Sequence, residues 1–215
     1  MSYLIERRQE EKDRRRAEII DAAEALYAET GWDGITMDQV ARRARLSRAL
    51  LYVYFKDKGD LHLALVERSL EALRGRFIAA REGHATGLAQ VEAIGRAYLA
   101  FSVDTPHYFD ACARYQAHAE TAHQAGPAPC NEAACEAAGF GVHEVIVDSL
   151  NRGVADGTIR ANLGDPFVTA LALWAFTHGM IQIASSKGPQ IVRGGTPVQA
   201  FIEHGLDLAL RALKP

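Results

Sequence analysis

The 215-residue chain predicts an all-α fold. Apolar residues recur at three- and four-residue spacing in almost every segment, and no window alternates apolar with polar residues as a half-buried strand would. Small hydroxyl residues, Asp and Pro stand just before the apolar stripes and Gly just after them, which is how helices start and stop. Nine helices are expected.

Met1 to Lys12 carries alternating charges and reads as a solvated arm before the first helix. That helix runs from about Lys12 to Glu29, with Ile19, Ala23, Leu26 and Tyr27 on one side and Gly31 as its stop. Thr36-Met37-Asp38-Gln39 has the form of a capping box, with Ile35 and Val40 as a hydrophobic staple, so a short second helix starts at Met37. Met37, Val40, Ala41 and Ala44 face inward on it, leaving Arg42 and Arg43 outside. Ser47 caps a third helix a few residues later, with Leu46 and Leu51 as its staple. Two short helices across a turn of about three or four residues, both packed on a longer one, make a helix-turn-helix arrangement.

Asp57 caps a long fourth helix, striped by Leu63, Val66, Leu70, Leu73 and Phe77. A stripe of Val91, Ile94, Tyr98 and Phe101 marks the fifth helix. Thr105-Pro106 opens the sixth, which carries Tyr108, Cys112 and Tyr115. After a loop at Gln124 to Pro129, the seventh carries Phe140, His143, Val147, Leu150 and Val154 and ends at Gly157. Asp165-Pro166 starts the eighth and most apolar helix, which Gly188 and Pro189 are expected to end. Thr196-Pro197-Val198-Gln199 reads as a second capping box, opening a last helix with Phe201, Leu208 and Leu213.

Apolar content of 48% and charge of 24% fit a soluble globular chain able to bury a real core. Phe167 to Ile183 is interrupted by Thr169, Thr177, His178, Gly179 and Gln182, and reads as a buried helix short of a membrane span. Glu6, Arg7, Arg8 and Glu10 stand where an export signal needs an apolar run, so the expected location is cytoplasmic. Three cysteines give no disulfide framework. The overall charge is −3, yet Arg42 to Lys58 carries a net +5, and the position of charge matters more than its total for a nucleic-acid partner.

The order "IIDAAEALYAETGWDGITMDQVARRARLSRALLYVYFKDKGDL" resembles the DNA-binding domain of TetR-family transcriptional regulators over roughly Arg16 to Leu65. Ile20, Ala22-Ala23, Gly31, Thr36, Val40-Ala41, Leu46-Ser47, Leu51-Tyr52, Tyr54-Phe55, Lys58 and Leu61 carry the likeness. It implies a DNA-binding domain over residues 1–58, of which 1–12 form the arm, and a ligand-binding and dimerisation domain over 59–215. The last two helices of the dimer would pack into a four-helix interface. The chain departs from the family pattern at Arg45, where the turn usually has Gly, at Ala49, where Gly is common, and at Leu50, where a small or hydroxyl residue is common.

From the residues themselves, Leu46, Leu51 and Phe55 hold the third helix, while Ser47, Arg48, Ala49, Tyr52 and Tyr54 point outward. Arg48 suits a guanine edge or a phosphate, and Leu50 a thymine methyl. Tyr52, Tyr54 and Lys58 suit phosphate, with Thr36, Arg42 and Arg43 gripping the backbone beside the groove. For the arginines the competing reading is a solvated face, and for Tyr52 it is core packing. In the second part, Phe101, His107, Tyr108, Cys112, Tyr115, His143, Trp174 and His178 mix aromatic faces with a few polar groups, as a small-molecule site does, although aromatic residues at this spacing also make ordinary core.

The expected partners are therefore an operator duplex, a second copy of the chain and a small effector, with no membrane and no cofactor. A metal or redox sensor built on Cys112, Cys130, Cys135 and the nearby His118 and His123 is the alternative, though the spacing is not that of a standard zinc finger. An enzyme fits less well. His143-Glu144 lacks the second histidine of a zinc-protease helix, because residue 147 is Val147, and Gly139-Phe140-Gly141 lacks the strand and third glycine of a dinucleotide loop.

Overall fold

The computed structural model describes residues 2–122 and 130–215, with the side chains of 2, 4 and 116–130 outside the description. The described residues form nine α-helices and no strand: α1 (Ser2–Thr30), α2 (Met37–Arg43), α3 (Arg48–Tyr54), α4 (Lys58–Arg81), α5 (Gly87–Asp104), α6 (Pro106–Ala122), α7 (Cys130–Ala155), α8 (Pro166–Arg193) and α9 (Val198–Leu213). They fall into two compact units. One comprises 1–70 with 105–137, the other 71–104 with 138–215. The expected division is 1–58 and 59–215; α4 starts at Lys58, and the compact units divide within it, after Leu70, while the loop expected at Gln124 to Pro129 lies outside the described residues.

In the first unit, α1 is longer than its apolar stripe, because residues 2–11 continue it as helix where a solvated arm was expected. The segment is solvated, and polar pairs one turn apart support it as helix: Glu11 meets Arg15 at 3.2 Å, and Gln9 donates to Asp13 at 2.8 Å. Ile19, Ala23 and Tyr27 turn inward, and Gly31 ends the helix at φ 71° with its N–H on the Tyr27 carbonyl. Trp32, in the following turn, lies 5.4 Å from the Tyr27 ring and 4.7 Å from that of His62.

The second unit is built on close backbone approaches. Gly87 of α5 lies so near Gly153 of α7 that an added Cβ would fall 2.0 Å from the Gly153 nitrogen. Gly205 of α9 instead makes room for a side chain, the Met180 sulfur of α8 lying 1.9 Å from where a Cβ would stand. Asp165 caps α8 by accepting from the N–H groups of Phe167 and Val168, with Pro166 in the first turn.

Two expected boundaries move. α8 runs through Pro189 to Arg193 rather than ending at Gly188 and Pro189. The missing Pro189 N–H frees only the carbonyl of Ser185, an exposed residue that water can reach, while Gly188 is buried at the position where a Cβ would meet Val198. The helix stops instead at Gly194-Gly195, where Gly195 takes φ 85° and the N–H of Thr196 reaches back to Ile191. The second capping box is not formed. Pro197, with ψ 140°, stands as the cap residue, so Thr196 is one position too early, and the Gln199 side chain bonds Glu203 at 2.9 Å.

α8 is long and apolar enough, by length and composition, to cross a membrane, with a third of its most apolar window buried inside the protein. Its inward side carries Ala170, Trp174, Thr177, His178 and Ile181, while Val168, Leu171, Phe176 and Ile183 are exposed.

Candidate nucleic-acid interface and sensor core

Local chemistry sets the geometry of the helix pair. Thr36 accepts the Gln39 N–H and the Gln39 side chain takes the Thr36 N–H at 2.7 Å, so the box opening α2 is complete. α2 ends at Ala44, after which Arg45 adopts φ 57°, the one non-glycine residue with positive φ among those described. The Arg45 N–H bonds the Arg42 carbonyl and the Leu46 N–H bonds that of Ala41, a Schellman closure usually built on glycine. Ser47 then caps α3 by accepting from the Leu50 N–H at 3.2 Å. The Asp57 side chain accepts from the Asp60 N–H at 2.8 Å to open α4.

Leu51 and Phe55 are fully buried, and the Arg16 guanidinium lies 5.8 Å from the Phe55 ring centroid. Ser47, Arg48, Ala49, Leu50 and Tyr52 lie exposed along α3, as do Thr36, Arg42 and Arg43 on and beside α2, while Tyr54 is half-buried. One exposed residue was absent from the sequence expectation: Val53, 73% exposed, stands beyond Tyr52 on the outer face. Its position two residues from both Leu51 and Phe55 was the available signal, since that offset points away from a buried pair on a helix.

The cations on this face are not equivalent. Arg42 has no ion-pair partner among the described residues, whereas Arg43 makes two bonds to Glu29, at 2.7 and 2.9 Å. Arg48 faces Asp38 across the turn, Nε to Oδ1 at 3.2 Å, and lies 5.6 Å from the Tyr52 ring centroid. The Tyr52 hydroxyl first, and the Asp38 carboxylate next, hold the Arg48 guanidinium charged above its ordinary range. Lys58 is turned toward Trp32, donating to its carbonyl at 2.7 Å with the ammonium 4.8 Å from the ring centroid. Burial lowers its affinity for a proton.

The eight sensor candidates divide between the units. Phe101, His143, Trp174 and His178 belong to the second; His107, Tyr108, Cys112 and Tyr115 belong to the first. In the second unit the organising residue is Tyr98, which periodicity showed only as core. Its ring stacks on Trp174 at 4.5 Å and its hydroxyl meets His178 Nδ1 at 2.7 Å, while His178 Nε2 meets the Gln182 amide at 3.1 Å. His143 donates Nδ1–H to the Gly139 carbonyl at 2.8 Å, with its ring 5.3 Å from that of Trp174. Burial lowers the His178 pKa and keeps the ring neutral. Beside this cluster a cavity of about 40 Å³ is lined by Phe77, Ile94, Tyr98, Trp174, Thr177 and Leu206.

In the first unit, the His107 and Tyr108 rings lie 4.5 Å apart, tilted by 55°, and His107 Nε2 is 3.8 Å from the Glu24 carboxylate. Cys112 and Cys135 are buried free thiols, and burial pushes both up to about 12, so both are protonated at neutral pH. Cys135 donates to the Leu63 carbonyl at 2.8 Å. Among the described residues no three His, Cys, Asp or Glu side chains gather as a metal site; His123 and the side chains of His118 and Cys130 lie outside the description.

A capped helix pair with a basic, aromatic outer face, followed by a larger helical part with its own core, defines a DNA-binding regulator of the helix-turn-helix class. The chain matches the models of "Bacterial regulatory proteins, tetR family" over residues 19–65 and "Tetracyclin repressor-like, C-terminal domain" over 91–209. It belongs to the TetR family. The activator FasR of Mycolicibacterium smegmatis is 34% identical over 62 residues, 29% of this chain and 28% of that protein. The chain's match thus spans little more than a quarter of that relative's length. Among solved structures, a protein of unknown function from Rhodococcus sp. RHA1 superposes with a TM-score of 0.71 at 24% identity, covering 94% of this chain and 95% of that one. The regulator FadR of Bacillus subtilis, in complex with stearoyl-CoA, gives 0.66 at 16% identity, covering 92% and 98%. At such identities the structures share the fold.

Proposed function

We propose that this TetR-family protein is a ligand-responsive repressor that binds a roughly palindromic operator as a homodimer. The observation that carries the reading is the outer face of α3, where Ser47, Arg48, Ala49, Leu50, Tyr52 and Val53 lie exposed on a helix whose start and inner face are both fixed. Arg48, Leu50 and Val53 meet base edges, and Thr36, Ser47, Arg42, Arg43, Tyr52 and Tyr54 meet the phosphate backbone. Lys58 steadies the turn at Trp32.

The dimer forms through α8 and α9, whose exposed Val168, Leu171, Phe176 and Leu208 need an apolar partner. Two-fold symmetry then sets recognition helices about 34 Å apart, or a multiple of that, for half-sites one helical turn apart. The effector is a molecule with an apolar body and one or two polar groups, held at Tyr98, Trp174, Thr177 and His178, with His143 beside Trp174. At about 40 Å³ the cavity holds only a few waters, so an effector enters by opening it. A ligand favouring the open arrangement shifts the protein toward it, and this differential binding changes operator affinity. The protein works in the cytoplasm and performs no catalysis.

Selection of sites from random-sequence duplexes, at a stated salt concentration, tests the reading. The expected result is an enriched palindrome whose binding weakens when effector is added. Folded, dimeric protein stripped of small molecules that enriches no site would overturn it.

A further inference from the structure

Arg48 is the first residue of α3, where a cation meets the positive end of the helix dipole, and α3 has no acidic residue in its own first turn. The compensating charge comes from Asp38, in the first turn of α2 and ten positions earlier. Its two oxygens face two guanidinium nitrogens, Oδ1 to Nε at 3.2 Å and Oδ2 to Nη1 at 3.4 Å, while the Tyr52 ring flanks the group at 5.6 Å. Asp38 and Arg48 are both exposed.

Resting on the DNA-binding reading above, we infer that Asp38 is a positioning residue for base selection: it holds the Arg48 guanidinium toward the groove and opposes its capture by any nearby phosphate. A guanidinium has five N–H donors, so with Asp38 engaged others remain for a guanine edge. A phosphate draws on the same group with no preference for sequence, and must compete with the carboxylate while suffering its repulsion. Asp38 thereby lowers affinity for arbitrary duplex and raises discrimination. Two distant sequence positions act as one readout element, because the Arg45 turn brings the first turn of α2 beside that of α3.

The test repeats the duplex selection with full-length wild type, D38N, D38E, R48A and the D38N/R48A double variant, each with a thermal melt. Positions whose base preference is lost in R48A define the Arg48 contacts. D38N is expected to melt like wild type, to bind arbitrary duplex about three- to tenfold more tightly, and to flatten base preference at those positions by a similar factor. D38E should restore part of the preference, and D38N should add nothing in the R48A background. A D38N variant that enriches the wild-type site with unchanged preferences would overturn the inference and leave the DNA-binding reading standing, as would an equal D38N effect with and without Arg48. Failure of wild type to enrich any site would remove both.

Discussion

Around the helix pair, an apolar core that includes Ile19, Val40, Leu51 and Phe55 is supplemented by charge and hydroxyl groups that join residues far apart in sequence. The Tyr27 hydroxyl donates to Asp110 at 2.8 Å, Arg114 binds Asp110 and also Asp33, and Arg68 joins Asp21 and Glu24. The second unit has surface ion pairs as well, such as Arg96 with Glu203, but its centre is tied by rings: Phe77 edge-on to Tyr98, Tyr98 stacked on Trp174, and His143 beside Trp174. A half-exposed ionic tie is screened by salt and exchanges readily with water, whereas a stacked ring loses both area and packing when removed. The two units should therefore fail differently. The first unit thus carries ties that salt can weaken, and the second a ring cluster whose loss costs packing.

The largest expected effect comes from breaking the stack. Trp174→Ala should cost about 3–5 kcal/mol in denaturant unfolding, because the ring is buried and Tyr98 loses its face partner. Tyr27→Phe probes the other kind of tie. It removes one hydrogen bond to a carboxylate that Arg114 still satisfies, so about 1–2 kcal/mol is expected. Equal losses for the two variants would erase the contrast between the units.

The helix pair was legible in the sequence because its determinants act within four or five residues. Thr36 with Gln39, Ser47 with Leu50, and Gly31 at its positive φ all depend on chain neighbours. The Asp38–Arg48 pair was not legible, since it depends on how two helices cross, and Lys58 gave no sign that Trp32 would take its ammonium. The second box failed for a local reason: Thr196 and Gln199 have the right spacing, but Pro197 keeps an extended ψ and the helix starts one residue late. The sensor candidates were chosen by residue type along separate helices. Type says nothing about which unit a helix joins, so half of them lie in each, and Tyr98, whose stripe looked like ordinary core, holds the centre.

A smaller effect separates the units by pH. His178 is buried neutral, with its folded pKa depressed below the ordinary value of about 6.5. The unfolded chain then binds the proton more readily, so this group's contribution is complete above about pH 6.5 and is lost as pH falls from there toward the folded pKa. Unfolding free energy measured from pH 8 to 5 should decline less steeply in His178→Gln than in wild type. Parallel curves for the two proteins would assign the decline to other groups.

The smallest expected change is a gain, and it tests the helix pair at its turn. The ends of α2 and α8 use the same closure, with paired N–H groups reaching back over the last turn, yet α8 places Gly195 at φ 85° where α2 places Arg45 at φ 57°. A side chain in that region crowds its own carbonyl, while glycine adopts it freely but loses more entropy on folding. The net for Arg45→Gly is a stabilisation of about 0.5–1 kcal/mol, read as a higher denaturation midpoint with an unchanged slope. Arg45 is also exposed and positively charged beside the proposed phosphate contacts. The same substitution should therefore weaken duplex binding and lower its salt dependence by about one unit of slope. A variant that is more stable yet binds DNA less well would explain why a strained arginine stands in the turn; a variant that loses stability would show that the turn, and not the charge, depends on Arg45.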